Sequence, residues 1–134
     1  MRFEVGMQGS FSKTVSESDV YLFAGITGDF NPLHIDLTQA ENGRFGKRIV
    51  HGVLILGFIS TVIGTQIPGK GTIYLEQDIK FLGPVYIGDT ITAFVKINEV
   101  LNEEKNILKL DTYVKNQQGE IVLDGFAIVM VSNY

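Results

Sequence analysis

The 134-residue chain is 45% hydrophobic and 19% charged, has no cysteine or tryptophan, and carries a net charge of −4. That length supports one core, and the residue usage excludes disulfides, thiolate metal sites and a cysteine nucleophile. The eleven Lys and Arg residues are scattered apart from Arg44, Lys47 and Arg48, which argues against a broad nucleic-acid-binding face and leaves a local site for a phosphate.

The opening MRFEVGMQGSF lacks an apolar signal core. The most hydrophobic stretch, Val53–Ile63, is interrupted by Gly57 and Ser60 and is too short to cross a bilayer, so the expected compartment is the cytoplasm. Phe11–Val15 is a candidate edge strand. SESDVYLFAGIT, residues 16–27, predicts an amphipathic helix: Ser16 can cap it, Asp19 follows three residues later, and Val20, Phe23, Ala24 and Thr27 share a face. Gly28 stands where such a helix stops.

The next residues, Asp29-Phe30-Asn31-Pro32, read as a turn, because Pro32 pushes Asn31 out of helical geometry and Asp and Asn both favour turns. Asp36 can then cap a short helix over 37–41, followed by the loop ENGRFGKR. From Val50 to Gln66 the sequence is apolar on nearly every side, which predicts a helix enclosed by other elements and ended by Pro68-Gly69.

The second half alternates with period two through Ile73, Leu75, Ile79 and Phe81, then Ile91–Ile97, Leu108–Val114 and Ile121–Val131. Gly83-Pro84, Gly88-Asp89, Asn102–Asn106 and Asn116–Gly119 separate the runs. Helices followed by four strands in meander order predict an α+β arrangement, an antiparallel sheet curled around the apolar helix. No linker, repeat or composition break divides the chain, so residues 1–134 are expected to be one domain.

Asp29 and His34 flank a rigid Asn-Pro turn, so a carboxylate and an imidazole can converge on one water as an acid–base pair. The spacing alone equally fits a turn in which Asp29 only caps. At His51-Gly52 the glycine leaves its N–H accessible at a helix entrance, where developing negative charge is favoured, so Gly52 is a candidate oxyanion donor. A glycine there can also serve only to relieve crowding, and His51 reads as structural. Ser60, eight residues further along that helix, most simply bonds a nearby carbonyl.

Asp29, His34, Asp36 and His51 contain both histidines, but no HxH, HxxxH or cysteine spacing supports a metal site. A serine triad is excluded because no G-x-S-x-G elbow exists. GKGT at 69–72 lacks the glycine spacing of a phosphate loop.

Four blocks carry a resemblance over almost the whole length: FAGITGDFNPLHID at 23–36, GKRIVHGVLILGFIS at 46–60, PGKGTIYLEQDIKFLGPVYIGDTITA at 68–93, and the closing strand at 121–131. In order and spacing the chain resembles the MaoC-like (R)-specific enoyl-CoA hydratases of the hot-dog fold, the short single-domain type that supplies polyhydroxyalkanoate synthesis. The resemblance implies Asp29 and His34 as the catalytic pair, the Gly52 N–H on the thioester carbonyl, and Asn31 as the residue that shapes the turn. It places Ser60, Ile63 and Ile128 at the acyl end of the site, where the two bulky isoleucines favour short chains. It implies an acyl-CoA thioester substrate, no metal or redox cofactor, no nucleic acid or membrane partner, and a homodimer or higher homo-oligomer. Arg44, Lys47 and Arg48 are candidates for the coenzyme A phosphates.

Three rivals remain. A dehydratase acting on acyl carrier protein would use the same residues in reverse. A hot-dog thioesterase usually places an acid on the central helix, and residues 53–66 contain none. A silent acyl-thioester-binding module would lack Asp29 or His34, and both are present.

Overall fold

The computed structural model describes residues 3–132. β1 (Gln8–Thr14) leads into α1 (Glu17–Thr27), the short helices α2 (Pro32–Ile35) and α3 (Leu37–Glu41), and the long α4 (Gly52–Thr65). Four strands complete the order: β2 (Thr72–Phe81), β3 (Thr90–Asn102), β4 (Ile107–Lys115) and β5 (Ile121–Val131). No helix among the described residues is long and apolar enough to cross a membrane.

The expected start of α1 is present in full. Ser16 Oγ accepts the Asp19 N–H at 3.1 Å while Asp19 Oδ2 accepts the Ser16 N–H at 2.9 Å, a capping box that satisfies two donors at the helix entrance. Gly28 ends the helix at φ 83°, a left-handed conformation that favours glycine. Val20 and Ala24 are buried, as the periodicity predicts, but Thr27 is exposed and is used for another purpose described below. Asp36 caps α3 through the Gln39 N–H at 3.0 Å.

The segment after Gly28 is more ordered than a turn. Asn31 Oδ1 accepts the Leu33 N–H at 3.1 Å and Pro32 occupies the first helical turn, where its missing N–H costs nothing, so α2 forms over Pro32–Ile35.

The sheet order is β1-β3-β4-β5-β2, with antiparallel pairing throughout. This corrects the expected four-strand meander. Only β3, β4 and β5 are meander neighbours; β2 crosses to the far edge and pairs with β5. β1 takes the other edge against β3, where an early strand was expected.

In β4 every second residue is buried, and Leu108, Leu110, Thr112 and Val114 meet the α4 side. The regular alternation fails in β2: a register shift between Tyr74 and Glu76 interrupts it, leaving Ile73, Leu75 and Phe81 at 44%, 50% and 55% exposure. Of the four apolar residues expected to share a face there, only Ile79 packs against the core.

α4 lies across the concave side of the sheet and buries Ile55, Ile59, Val62 and Ile63 against Ile91, Val95, Leu110 and Val129 among others. Each such aliphatic side chain contributes about 1.5–3 kcal/mol through burial. The helix is not enclosed on all sides, however. Val53, Gly57, Ser60 and Gly64 are exposed and recur at helical spacing as one stripe.

Candidate active site

The site is assembled where α1 ends, α2 begins and α4 begins. Asp29 is exposed and held through its main chain. Its N–H donates to Thr27 Oγ1 at 3.2 Å, and Thr27 in turn donates to the Phe23 carbonyl at 2.8 Å. Its carbonyl lies 3.0 Å from His51 Nε2, and its Oδ1 accepts the Asn31 N–H at 3.3 Å. Asn31 therefore shapes the turn from both sides, receiving Leu33 and donating to Asp29.

His34 is 8% exposed and His51 1%. Their hydrogen bonds run to main-chain carbonyls, which only accept, so each bond fixes a tautomer. His34 Nδ1 carries the proton given to the Ile49 carbonyl at 2.7 Å, leaving Nε2 with its lone pair. His51 carries its proton on Nε2, facing the Asp29 carbonyl. Ile49 is itself docked: its N–H donates to the Leu33 carbonyl at 3.2 Å, and the adjoining Val50 N–H donates to the Val85 carbonyl at 2.7 Å. The loop before α4 is thereby pinned to α2 on one side and to the β2–β3 connection on the other.

Burial holds the His34 imidazole below the ordinary histidine range; the Ile49 hydrogen bond opposes this, the His51 ring adds to it, and the Asp29 carboxylate opposes it. A ring that stays neutral near pH 7 with a bare Nε2 is a competent general base.

Ligating atoms of Asp29, His34 and His51 lie within 4.8 Å of one another. That separation lets the Asp29 carboxylate and His34 share one water. It suits a metal less well. The two imidazoles stack with centroids 3.9 Å apart and planes inclined by 27°, and His51 Nε2 is taken by the Asp29 carbonyl, an arrangement that does not favour one ion lying in both ring planes at the ~2.0–2.1 Å of a zinc–imidazole bond.

Gly52 opens α4, in the first turn, whose N–H groups have no intrahelical partner. A Cβ on Gly52 would lie 2.6 Å from Phe81 Cε1, so a larger residue here requires the half-exposed Phe81 ring to shift. A cavity of about 520 Å³ opens beside it, lined by Gly52, Val53, Ile49, Phe81, Leu82 and Arg44.

Other expected site residues are not brought together. Ser60 is exposed, about 12 Å along the helix axis from Gly52. Ile63 is 2% exposed within the core, whereas Ile128 alternates on β5 with the core-facing Ala127 and Val129. Neither isoleucine lines the cavity at Gly52, because one is consumed by core packing and the other leaves the opposite side of its strand.

The basic loop also divides. Arg48 donates to Tyr21 Oη at 2.6 Å and to Glu17 Oε2 at 2.5 Å, which makes it a strut between loop and α1 with its guanidinium already engaged. Lys47 lies 4.3 Å over the Tyr86 ring, and Arg44 stands at the cavity wall. Thr27 and Ile49 were not anticipated as site residues. The side-chain pattern signals neither, since Ile49 contributes only its carbonyl.

A curled antiparallel sheet packed on one apolar helix, with a carboxylate–imidazole pair at the helix entrance, defines a hot-dog protein with an acid–base site. Residues 4–118 match the family described as MaoC like domain. The chain belongs to that family. It is 46% identical over 126 residues to the (R)-specific enoyl-CoA hydratase of Rhodospirillum rubrum, covering 94% of this chain and 86% of the relative. The solved (R)-hydratase from Aeromonas caviae involved in PHA biosynthesis superposes with a TM-score of 0.93 at 40% identity, covering 97% of this chain and 98% of that one. R-hydratase PhaJ1 from Pseudomonas aeruginosa superposes with a TM-score of 0.92 at 39% identity, covering 98% and 84%.

Proposed function

We propose that this chain is an (R)-specific enoyl-CoA hydratase, a single hot-dog domain over residues 1–134 that adds water reversibly to trans-2-enoyl-CoA in the cytoplasm and so links fatty-acid oxidation to polyhydroxyalkanoate precursors. The observation that carries the reading is the approach of the Asp29 carboxylate and the His34 imidazole to within 4.8 Å, with His34 Nε2 left as the acceptor.

In this mechanism Asp29 and His34 hold one water between them. His34 Nε2 takes a proton as the water oxygen attacks C3 of the electrophilic enoyl thioester. Electron density moves to the thioester oxygen, where the Gly52 N–H and the α4 N-terminus stabilise the enolate, an effect of about 2.7–4 kcal/mol per well-placed donor. The pair then returns a proton to C2 on the same face, giving syn addition and an (R)-3-hydroxyacyl thioester. The cavity beside Gly52 offers room for the thioester arm, and Arg44 is the residue of the basic loop that stands on its wall, where it could meet a coenzyme A phosphate. Ser60, Ile63 and Ile128 remain proposed for the acyl end by likeness to the family, with a preference for short chains.

The enzyme acts as a homodimer. Support comes from the exposed apolar edge of β2, with Ile73, Leu75 and Phe81, which would otherwise present an unpaired strand to water.

The test is incubation with crotonyl-CoA while enoyl absorbance and free thiol are followed together. The reading expects absorbance loss without thiol release. Thiol release instead identifies a thioesterase, and activity confined to crotonyl-acyl carrier protein identifies the dehydratase of fatty-acid synthesis.

A further inference from the structure

We propose that His51 is a positioning residue for hydration, fixing the Asp29 main chain and the His34 ring at the separation from which both reach one water; this rests on the reading of Asp29 and His34 as the acid–base pair.

His51 occupies the N-cap of α4 yet makes no side-chain cap hydrogen bond, so helix capping does not account for it. Its ring reaches back 22 residues to the Asp29 carbonyl at 3.0 Å. With the proton on Nε2, its Nδ1 is a buried lone pair with no hydrogen-bond partner among the described residues. An apolar ring of the same shape would avoid that desolvation, so the contact that distinguishes histidine here is the single Nε2–H bond to Asp29.

The ring faces are used as well. One packs on His34 with centroids 3.9 Å apart, and Phe23 lies at 4.8 Å with the planes inclined by 54°. His34 is thus held by its Nδ1–H bond to Ile49 in one direction and by the His51 ring in another, which directs Nε2. The His51 carbonyl also accepts the N–H groups of Leu54 and Ile55 at 3.0 and 3.2 Å, starting the helix that carries Gly52. One residue therefore joins the carboxylate, the base and the N–H donor.

His51→Phe keeps a ring for the stack and removes the donor. His51→Gln removes the ring and keeps an amide N–H near the Nε2 position. With crotonyl-CoA, His51→Phe is expected to lose ~10–100-fold in kcat with KM within about twofold, and His51→Gln to recover most of that loss. A His51→Phe kcat within about twofold of wild type overturns the proposal, because ring packing alone would then suffice, as does a loss in His51→Gln equal to or greater than that in His51→Phe, because the restored donor would then not be what the loss reflects. Because the chain has only two histidines, the imidazole ¹⁵N spectrum of the wild-type protein is a second test that needs no variant. It should contain one Nδ1–H ring, lost in His34→Ala, and one Nε2–H ring. An Nδ1–H form for His51 overturns the proposal. Wild-type protein that fails to hydrate crotonyl-CoA overturns the functional reading and this inference with it, whereas an active wild type with an unaffected His51→Phe overturns this inference alone.

Discussion

His34 and His51 stack face to face, 3.9 Å apart, and give their N–H groups to two different main-chain carbonyls, Ile49 and Asp29. The same chemical group thus performs two tasks: one ring keeps a bare Nε2 within a cluster that includes the Asp29 carboxylate, and the other holds the backbone that carries that carboxylate.

Removing the base should remove the chemistry. His34→Ala is expected to lower kcat by ~10²–10⁴-fold, the usual contribution of a positioned general base. Steady-state hydration of crotonyl-CoA checks this, and turnover within threefold of wild type would take His34 out of the mechanism.

Asp29→Asn should lower kcat comparably while leaving the fold in place, since Asp29 is exposed and its structural bonds run mainly through its main chain. Its thermal midpoint should stay within a few degrees of wild type in calorimetry. A large drop would reassign the carboxylate to a structural role.

Acid should affect activity and stability in the same direction. Because burial holds His34 below the ordinary histidine value of about 6.5, kcat/KM should be flat above that pH and fall on the acid side with an apparent pKa below it. For stability, the unfolded chain binds the proton more readily than the native protein, so the contribution is present above the unfolded value. It is lost as pH falls through the folded one. Urea unfolding of wild type and His34→Ala across this window should show a smaller acid dependence in the variant; identical slopes would contradict the assignment.

Gly52→Ala should cost little stability, about 1 kcal/mol or less, because the new methyl meets only the half-exposed Phe81 ring, which can turn aside. Combining it with Phe81→Ala should relieve the clash, so the two changes are non-additive in a denaturation cycle. Strict additivity would mean that Phe81 does not crowd this position.

Arg44 and Arg48 should separate. Arg48→Ala breaks the link to Glu17 and Tyr21 and should act on stability, by about 1 kcal/mol or less for a pair whose Glu17 side is half exposed. Arg44→Ala should raise KM several-fold for coenzyme A thioesters with little change in stability. The reverse pattern would make Arg48 the phosphate contact.

Features decided by near neighbours were legible in the sequence. The Ser16–Asp19 capping box, the Gly28 stop, the Asp36 cap and the alternation of β4 each depend on residues within a few positions of one another. The order of the strands was not, because the pairing of β2 with β5 is set by closure of the sheet around α4, which no local pattern encodes. The same limit applies within the site. Asp29, His34 and Gly52 could be named from a motif, but what orients them is a pair of carbonyls, at Ile49 and at Asp29 itself, and a carbonyl is present at every residue. Arg48 looked available until its partners on α1, 27 and 31 residues away, were placed beside it.

The central claim, that Asp29 and His34 act as a pair on one water, is tested most directly by hydrating crotonyl-CoA in D₂O and determining the configuration at C2 and C3 of the product. Two groups that share one water and sit on one side of the substrate must deliver deuterium to C2 on the face that receives oxygen at C3, and the proposed (R) specificity sets the configuration at C3. Anti addition, or an (S)-3-hydroxybutyryl product, would contradict the account.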